Sequence, residues 1–262
     1  RCGRHGGWCL MVDVCYLVPG VGLPDDEKGR RERVANDLTP DHVEVTVVEA
    51  DGPGPTSIES AVEELWCTVG SMQKAHRIQS EYDALVIGCF GDPGIRALRE
   101  LLSIPVVGPA ETTIHTAAMV ADRFTWLTIL DETIPMSHEQ AHEHHLSDRC
   151  VSVRSVDAPV ESIDHGDDDL VERMVREGTA AVEEDGAEAL FPGCMSLSFA
   201  QRHDEIEERV GVPFLDPASL ALEQAAAWAR HGVAQSPETY PEPKFEKLGD
   251  LLGEDLAAAD DD

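Results

Sequence analysis

An α/β fold of two similar halves is what this sequence predicts, and three observations carry it. Short apolar runs rich in Val, Ile and Leu alternate with helical stretches, the pattern of a parallel sheet covered on both faces. The segment Ile104–Ala118 aligns without gaps to Val212–Ala226, with five identities in fifteen positions, so the chain repeats itself. Its 262 residues are 42% apolar and 27% charged, enough for one large or two small domains at roughly 100–200 residues each.

The elements follow in order. Residues 1–10 mix Arg, Gly, Cys and Trp without periodicity and are given no role. Strand Val12–Val18 leads to helix Asp26–Asp37, which opens on acids as a helix start favours. Strand Val43–Glu49, helix Ile58–Gln79, strand Ala84–Phe90 and helix Gly94–Leu102 come next, then the short strand Val106–Val107 and helix Thr112–Ala121. The second half repeats the alternation with strands Thr125–Leu130, Val151–Val156, Ala189–Cys194 and Phe214–Leu215. Its helices are Pro135–Leu146, Asp168–Asp185, Ser198–Val210 and Ala218–His231, the last three each stopping before a glycine. The predicted fold is therefore two Rossmann-like lobes, each a mainly parallel four-stranded sheet with flanking helices, related by a pseudo-twofold axis with the site in the cleft between them. The lobes are placed at 11–120, with part of the C-terminal region packing on it, and at 121–232. Residues 233–262, with Pro237, Pro241, Pro243 and a closing run of aspartates, read as a peripheral arm and solvated acidic tail.

Charge narrows the partners. Fifty-one acids against 20 Lys and Arg leave a net charge of -31, which repels phosphate backbones and anionic membrane surfaces. Nucleic acid and membrane are excluded; a small molecule and a homo-oligomeric assembly are expected. Only Lys28, Lys74, Lys244 and Lys247 are lysines, and an acidic surface this dense suits a salt-rich cytoplasm, so a halophilic source is predicted. No apolar run reaches the roughly 18 uncharged residues of a membrane span, and the first ten residues lack signal-peptide character, so a cytoplasmic location is expected. Seven cysteines without a Cys-x-x-Cys pair indicate free thiols rather than a disulfide framework or a zinc knuckle.

The repeat points to chemistry. Upstream of each copy an apolar strand ends in Gly-Cys: Cys89 lies 16 residues before Pro105, and Cys194 lies 19 before Pro213. Ligands of open α/β sheets bind beyond the carboxyl ends of the strands, so two facing lobes bring the two thiols to one cleft. One thiolate taking a proton from one face of a carbon, and one thiol returning a proton to the other, would racemise it. The turns Phe90-Gly91-Asp92-Pro93-Gly94 and Met195-Ser196-Leu197-Ser198 offer backbone N–H groups, and in the second case hydroxyls, to a substrate carbonyl. Cys15, Cys67 and Cys150 lack such loops and read as packing residues.

Asp83–Gly94, Ile104–Glu111, Arg123–Leu130, Pro192–Met195 and Gly211–Pro217 together resemble the aspartate/glutamate/hydantoin racemase superfamily, in particular its hydantoin racemase branch, over roughly residues 11–243. Cys89-Phe-Gly-Asp-Pro-Gly94 is the most specific piece. The resemblance implies deprotonation next to a carbonyl without metal or pyridoxal phosphate, Cys89 and Cys194 being the acid/base pair. Phe90, Gly91, Asp92, Glu111, Thr128, Met195 and Ser196 are the candidate substrate contacts, and no cofactor or metal is expected. Leu17–Leu23 departs from the Asn-Pro-Asn-Thr that commonly ends the family's first strand, which bears on the substrate rather than on the bases. A cis-trans isomerase or a decarboxylase on the same fold is the alternative. His138-Glu-Gln-Ala-His142 also fits the H-E-x-x-H zinc protease pattern, against a reading as a solvated helix face.

Overall fold

The computed structural model describes residues 11–163 and 166–249, so the segment 1–10 and the acidic end lie outside the described residues. Four parallel strands, β1 (Val12–Val18), β2 (Val43–Glu49), β3 (Ala84–Ile87) and β4 (Val106–Val107), form one sheet in the order β2-β1-β3-β4. A second parallel sheet holds β5 (Phe124–Thr128), β6 (Cys150–Ser155) and β7 (Ala189–Pro192) in the order β6-β5-β7. The order is that of the first sheet with one difference. The predicted eighth strand is reduced to a single parallel bridge between Phe214 and Leu190, so the second sheet has three strands instead of four.

Helices α1 (Asp25–Asp37), α2 (Ala61–Ile78), α3 (Ile95–Leu101) and α4 (Pro109–Val120) belong to the first half, and α5 (Ile134–Glu143) and α6 (Asp168–Ala180) follow in the second. The predicted helix Ser198–Val210 is helical beyond Ser198 only from His203: a short α7 (Met195–Ser198) precedes α8 (His203–Val210), and Gln201 takes a left-handed conformation with φ 54° between them. Helix α9 (Pro217–His231) crosses back to pack on β1, β3 and β4, and the short α10 (Phe245–Leu248) lies over the outer face of the first sheet. Among the described residues no helix is long and apolar enough to cross a membrane.

Strand alternation sorts the core into three layers. Val12, Val14, Tyr16 and Val18 of β1 share one cluster with Phe124 and Trp126 of β5, Ala189 and Phe191 of β7, and the buried faces of α4 and α9. The inner faces of both sheets thus enclose α4 and α9 in one common core. Cys15 and Leu17 point the other way, under α2 and α3, while Leu127 and Leu190 lie under α6 and α8. This common core fixes the sheets relative to each other, and so fixes the ends of β3 and β7.

Candidate active site

Beyond the ends of β3 and β7 the chain makes the same move twice. Gly88 N–H donates to the Leu17 carbonyl at 2.6 Å, and Gly193 N–H donates to the Leu127 carbonyl at 2.7 Å. Close approach requires glycine at the first place and favours it at the second. A Cβ at Gly88 would stand 2.8 Å from Tyr16 Cε1 and from the Leu17 oxygen, and one at Gly193 would stand 3.0 Å from Trp126 Cδ1. An aromatic side chain of each central strand therefore lies against the glycine and leaves the following cysteine to face outward. Cys89 and Cys194 are both partly exposed, free, and open into one cavity of about 660 Å³. That volume lies within the roughly 300–1,000 Å³ of small-molecule sites.

Both halves build the cavity. Val18 to Gly20 at the end of β1 and Thr128 and Ile129 at the end of β5 line it together with the two Gly-Cys turns, and the loops after β2 and β6 add to its wall. There Val160 N–H donates to Glu59 Oε1 at 2.8 Å, and Thr56 Oγ1 bonds Glu161. Among the described residues five glutamates (Glu27, Glu64, Glu139, Glu143, Glu161) and one arginine, Arg31, line the space, with Leu23, Ile58, Met136 and Ile163 supplying apolar wall.

The family model for Asp/Glu/Hydantoin racemase matches residues 30–225. The chain belongs to that family. A hydantoin racemase of Pseudomonas sp. (strain NS671) is 34% identical over 201 residues, covering 76% of this chain and 80% of that one. The allantoin racemase of Klebsiella pneumoniae has a TM-score of 0.77 at 28% identity, covering 93% and 94% of the two chains. The allantoin racemase of Pseudomonas fluorescens has a TM-score of 0.82 at 25% identity, covering 88% of this chain and 97% of that one. The protein is accordingly an isomerase of the racemase type.

In this racemase, Cys89, Phe90, Gly91, Thr128, Cys194, Met195 and Ser196 all line the cavity, and Asp92 and Glu111 do not. Both acids work in loop construction instead. Asp92, held at φ 49° and buried, accepts from the N–H groups of Ala110 at 3.0 Å and Glu111 at 2.9 Å, which caps α4. The repeat explains why. Asp216, the equivalent of Gly108, caps α9 from its own position by accepting from Ala218 and Ser219 N–H. Gly108 has no side chain to cap with, and the space a Cβ would take there is filled by the Asp92 carboxylate, so the cap of α4 comes from the Cys89 turn. Glu111 is drawn off by buried Arg99, which also donates to the Val106 carbonyl at 2.9 and 3.1 Å.

The thiols have unequal surroundings. Burial pushes Cys89 well above its ordinary range; the Gly91 N–H opposes this, while Cys194, Asp92 and Glu64 add to it. Burial also raises Cys194, but the N–H groups of Ser196 and Leu197, the Arg31 guanidinium and the Ser196 hydroxyl all pull it down. The other described cysteines are packing residues: burial pushes Cys15 up to about 12, and Cys67 and Cys150 up to about 11. Cys2 and Cys9 lie outside the described residues.

Helix α5 departs from a simple solvated face. Glu139, Gln140 and Glu143 line the cavity, and Gln140 Nε2 donates to the Phe90 carbonyl at 3.2 Å, while His138 and His142 are exposed. Among the described residues no group of three or more His, Cys, Asp or Glu side chains is placed to hold a metal, so the H-E-x-x-H spacing has no third ligand. Sequence reasoning passed over Arg31, Glu64 and Gln140. Arg31 stands beside Arg30 and Arg33 in a charged helix, and nothing local separates it from them.

Proposed function

We propose that this racemase works without a cofactor, by two bases, inverting a carbon next to a carbonyl, with Cys89 and Cys194 on opposite faces of the substrate. One observation carries the reading: two cysteines from equivalent strand ends of two sheets open into a single cavity. A decarboxylase needs one thiol there; a racemase needs both. The thiolate takes the Cα proton, the electron pair spreads onto the carbonyl oxygen, and the opposite thiol protonates the other face. The N–H groups of the two cysteine turns are the donors nearest that oxygen's charge. After one turnover the thiolate and the thiol have changed places.

The substrate class we assign is a hydantoin ring. Among the described residues, five glutamates against one arginine around the cavity disfavour a free dicarboxylic amino acid and suit a neutral ring. Both the hydantoin racemase and the allantoin racemases among its relatives support that choice. Polarimetry on single enantiomers of 5-substituted hydantoins, allantoin and aspartate, in molar salt after dialysis against a chelator, tests it. Loss of rotation with the ring substrates is expected. Activity on aspartate alone, or activity regained only with added metal or pyridoxal phosphate, would overturn it.

A homo-oligomer is the assembly we infer. Val62, Leu65, Trp66 and Val69 form an exposed apolar ridge on α2 at helical spacing, surface that a second copy would remove from water. Sedimentation in molar salt is expected to give a multiple of 28.5 kDa. A single species at the chain mass would refute it.

A further inference from the structure

The two cysteine turns are braced alike in position and unlike in charge. Helices α1 and α5 follow the central strands β1 and β5, and each reaches across to the other sheet's cysteine turn. From α5, Gln140 Nε2 donates to the carbonyl of Phe90, next to Cys89, at 3.2 Å. From α1, Arg31 Nη2 donates to Ser196 Oγ, two residues past Cys194, at 3.0 Å. The neutral brace and the cationic one both line the cavity. Arg31 is buried and its guanidinium is stacked over Phe199 at 5.7 Å.

The remaining charges sharpen the difference. Around Cys194 stand Arg31 and, paired with it at 2.7 Å, Glu27, a carboxylate that Arg30 also engages at 2.7 Å. The Tyr16 phenol is buried beneath both thiols. Around Cys89 stand Asp92, Glu64 and Cys194, all of them acids, with Glu139 and Glu143 of α5 facing Glu64 across the cavity. Among the described residues a cation therefore serves Cys194 and none serves Cys89.

We infer that Arg31 polarises the pair, making Cys194 the more acidic thiol and hence the base of the resting protein, with Cys89 the acid opposite it. Arg31 is a positioning residue, since it acts through the cysteine turn. For turnover the inference rests on the two-base reading: the resting protein takes the enantiomer whose Cα–H faces Cys194. The proton that Cys194 gains is balanced by the one Cys89 gives, and the pair must exchange a proton with water before it repeats that direction.

The test reads the thiols without any substrate. The full chain in molar salt is alkylated with iodoacetamide across a pH series, and the Cys89 and Cys194 peptides are quantified by mass spectrometry. Cys194 is expected to reach half-reaction at the lower pH. Arg31→Met should move the Cys194 midpoint up by about 1 pH unit or more, as loss of an adjacent opposite charge does. Arg31→Lys should restore most of that, and Gln140→Ala should leave the order of the two thiols intact. Glu27→Gln, which relieves the guanidinium of its carboxylate, should move the Cys194 midpoint down, giving a test of opposite sign should Arg31→Met not fold. Cys89 reacting first, or a Cys194 profile indifferent to both Arg31→Met and Glu27→Gln, would overturn the inference. The thiol order holding while no hydantoin is racemised would instead count against the proposed function, and racemisation with Cys89 the more acidic would count against the polarisation alone.

Discussion

Cys89→Ser and Cys194→Ser are each expected to lower racemisation of a hydantoin by about 10²–10⁴-fold, the scale on which a positioned acid or base contributes. The losses should be alike, because either direction needs one thiolate to take the proton and one thiol to return it. What remains should differ. Each single variant keeps one thiol in the cavity, so it can still exchange the α-hydrogen of the enantiomer that presents it to that sulfur. Deuterium incorporation into each pure enantiomer, followed by proton NMR, should show opposite preferences in the two variants. Cys15, Cys67 and Cys150 lie off the cavity, and burial holds their thiols up, so replacing any of them should change turnover only a few-fold. If both variants exchanged the same enantiomer, or either racemised at the parent rate, the two cysteines would not be opposed bases.

Transfer from molar salt into dilute buffer is expected to unfold the protein. At a net charge of -31 the compact state is opposed by self-repulsion, and the screening length grows from roughly 3 Å at 1 M salt to roughly 30 Å at 0.01 M. Ion pairs act in the other direction. Arg154 engages Glu177, Glu184 and Asp185, Arg202 engages Asp168 and Glu205, and Arg209 engages Glu172 and Glu205. Exposed pairs of this kind each contribute little, and 51 acids cannot be matched by 20 cations. Circular-dichroism melting across a sodium chloride series should place the loss of structure below about 0.5 M. Lowering the pH in dilute buffer toward the isoelectric value of 4.5 should restore structure, because the net charge falls away. Glu64 adds to this in the same sense. Burial and the carboxylates of Glu143 and Glu139 hold it above its ordinary value, so the folded state binds its proton more tightly. Its contribution is full below the ordinary carboxylate range and is lost as the pH rises through the raised value. A melting temperature independent of salt would refute the expectation.

Much of this protein was legible in order of chain. Strands β1, β2 and β4 fall at their predicted limits because each is a β-branched run between turn residues, a local signal that tertiary packing had no reason to override. The repeat, with an apolar strand ending in Gly-Cys upstream of each copy, matched Cys89 to Cys194 before any fold was known, since duplication leaves its trace in sequence even where a loop changes length. Two predicted elements changed in extent. The eighth strand shrank to the Phe214 bridge, and beyond Ser198 the helix that follows Cys194 resumes only at His203.

The neighbours of the thiols were decided by tertiary structure. In sequence Asp92 reads equally as a substrate contact or as a turn cap beside a catalytic cysteine; the approach of α4, with no side chain at Gly108, turns its carboxylate onto backbone N–H groups. Glu111 is claimed by Arg99 from another helix, and Arg31 and Gln140 reach the cysteine turns across the two sheets. The physical reason is one of range. Periodicity, capping and repeats act over a few residues or copy themselves along the chain, so a sequence displays them. A hydrogen bond between residues 165 apart, such as Arg31 to Ser196, depends on two sheets being locked together by the core they share around α4 and α9, and no local pattern encodes that. The sequence by itself therefore determined the two halves, the family likeness and the pair of thiols; the tertiary structure decided which charges stand beside each thiol.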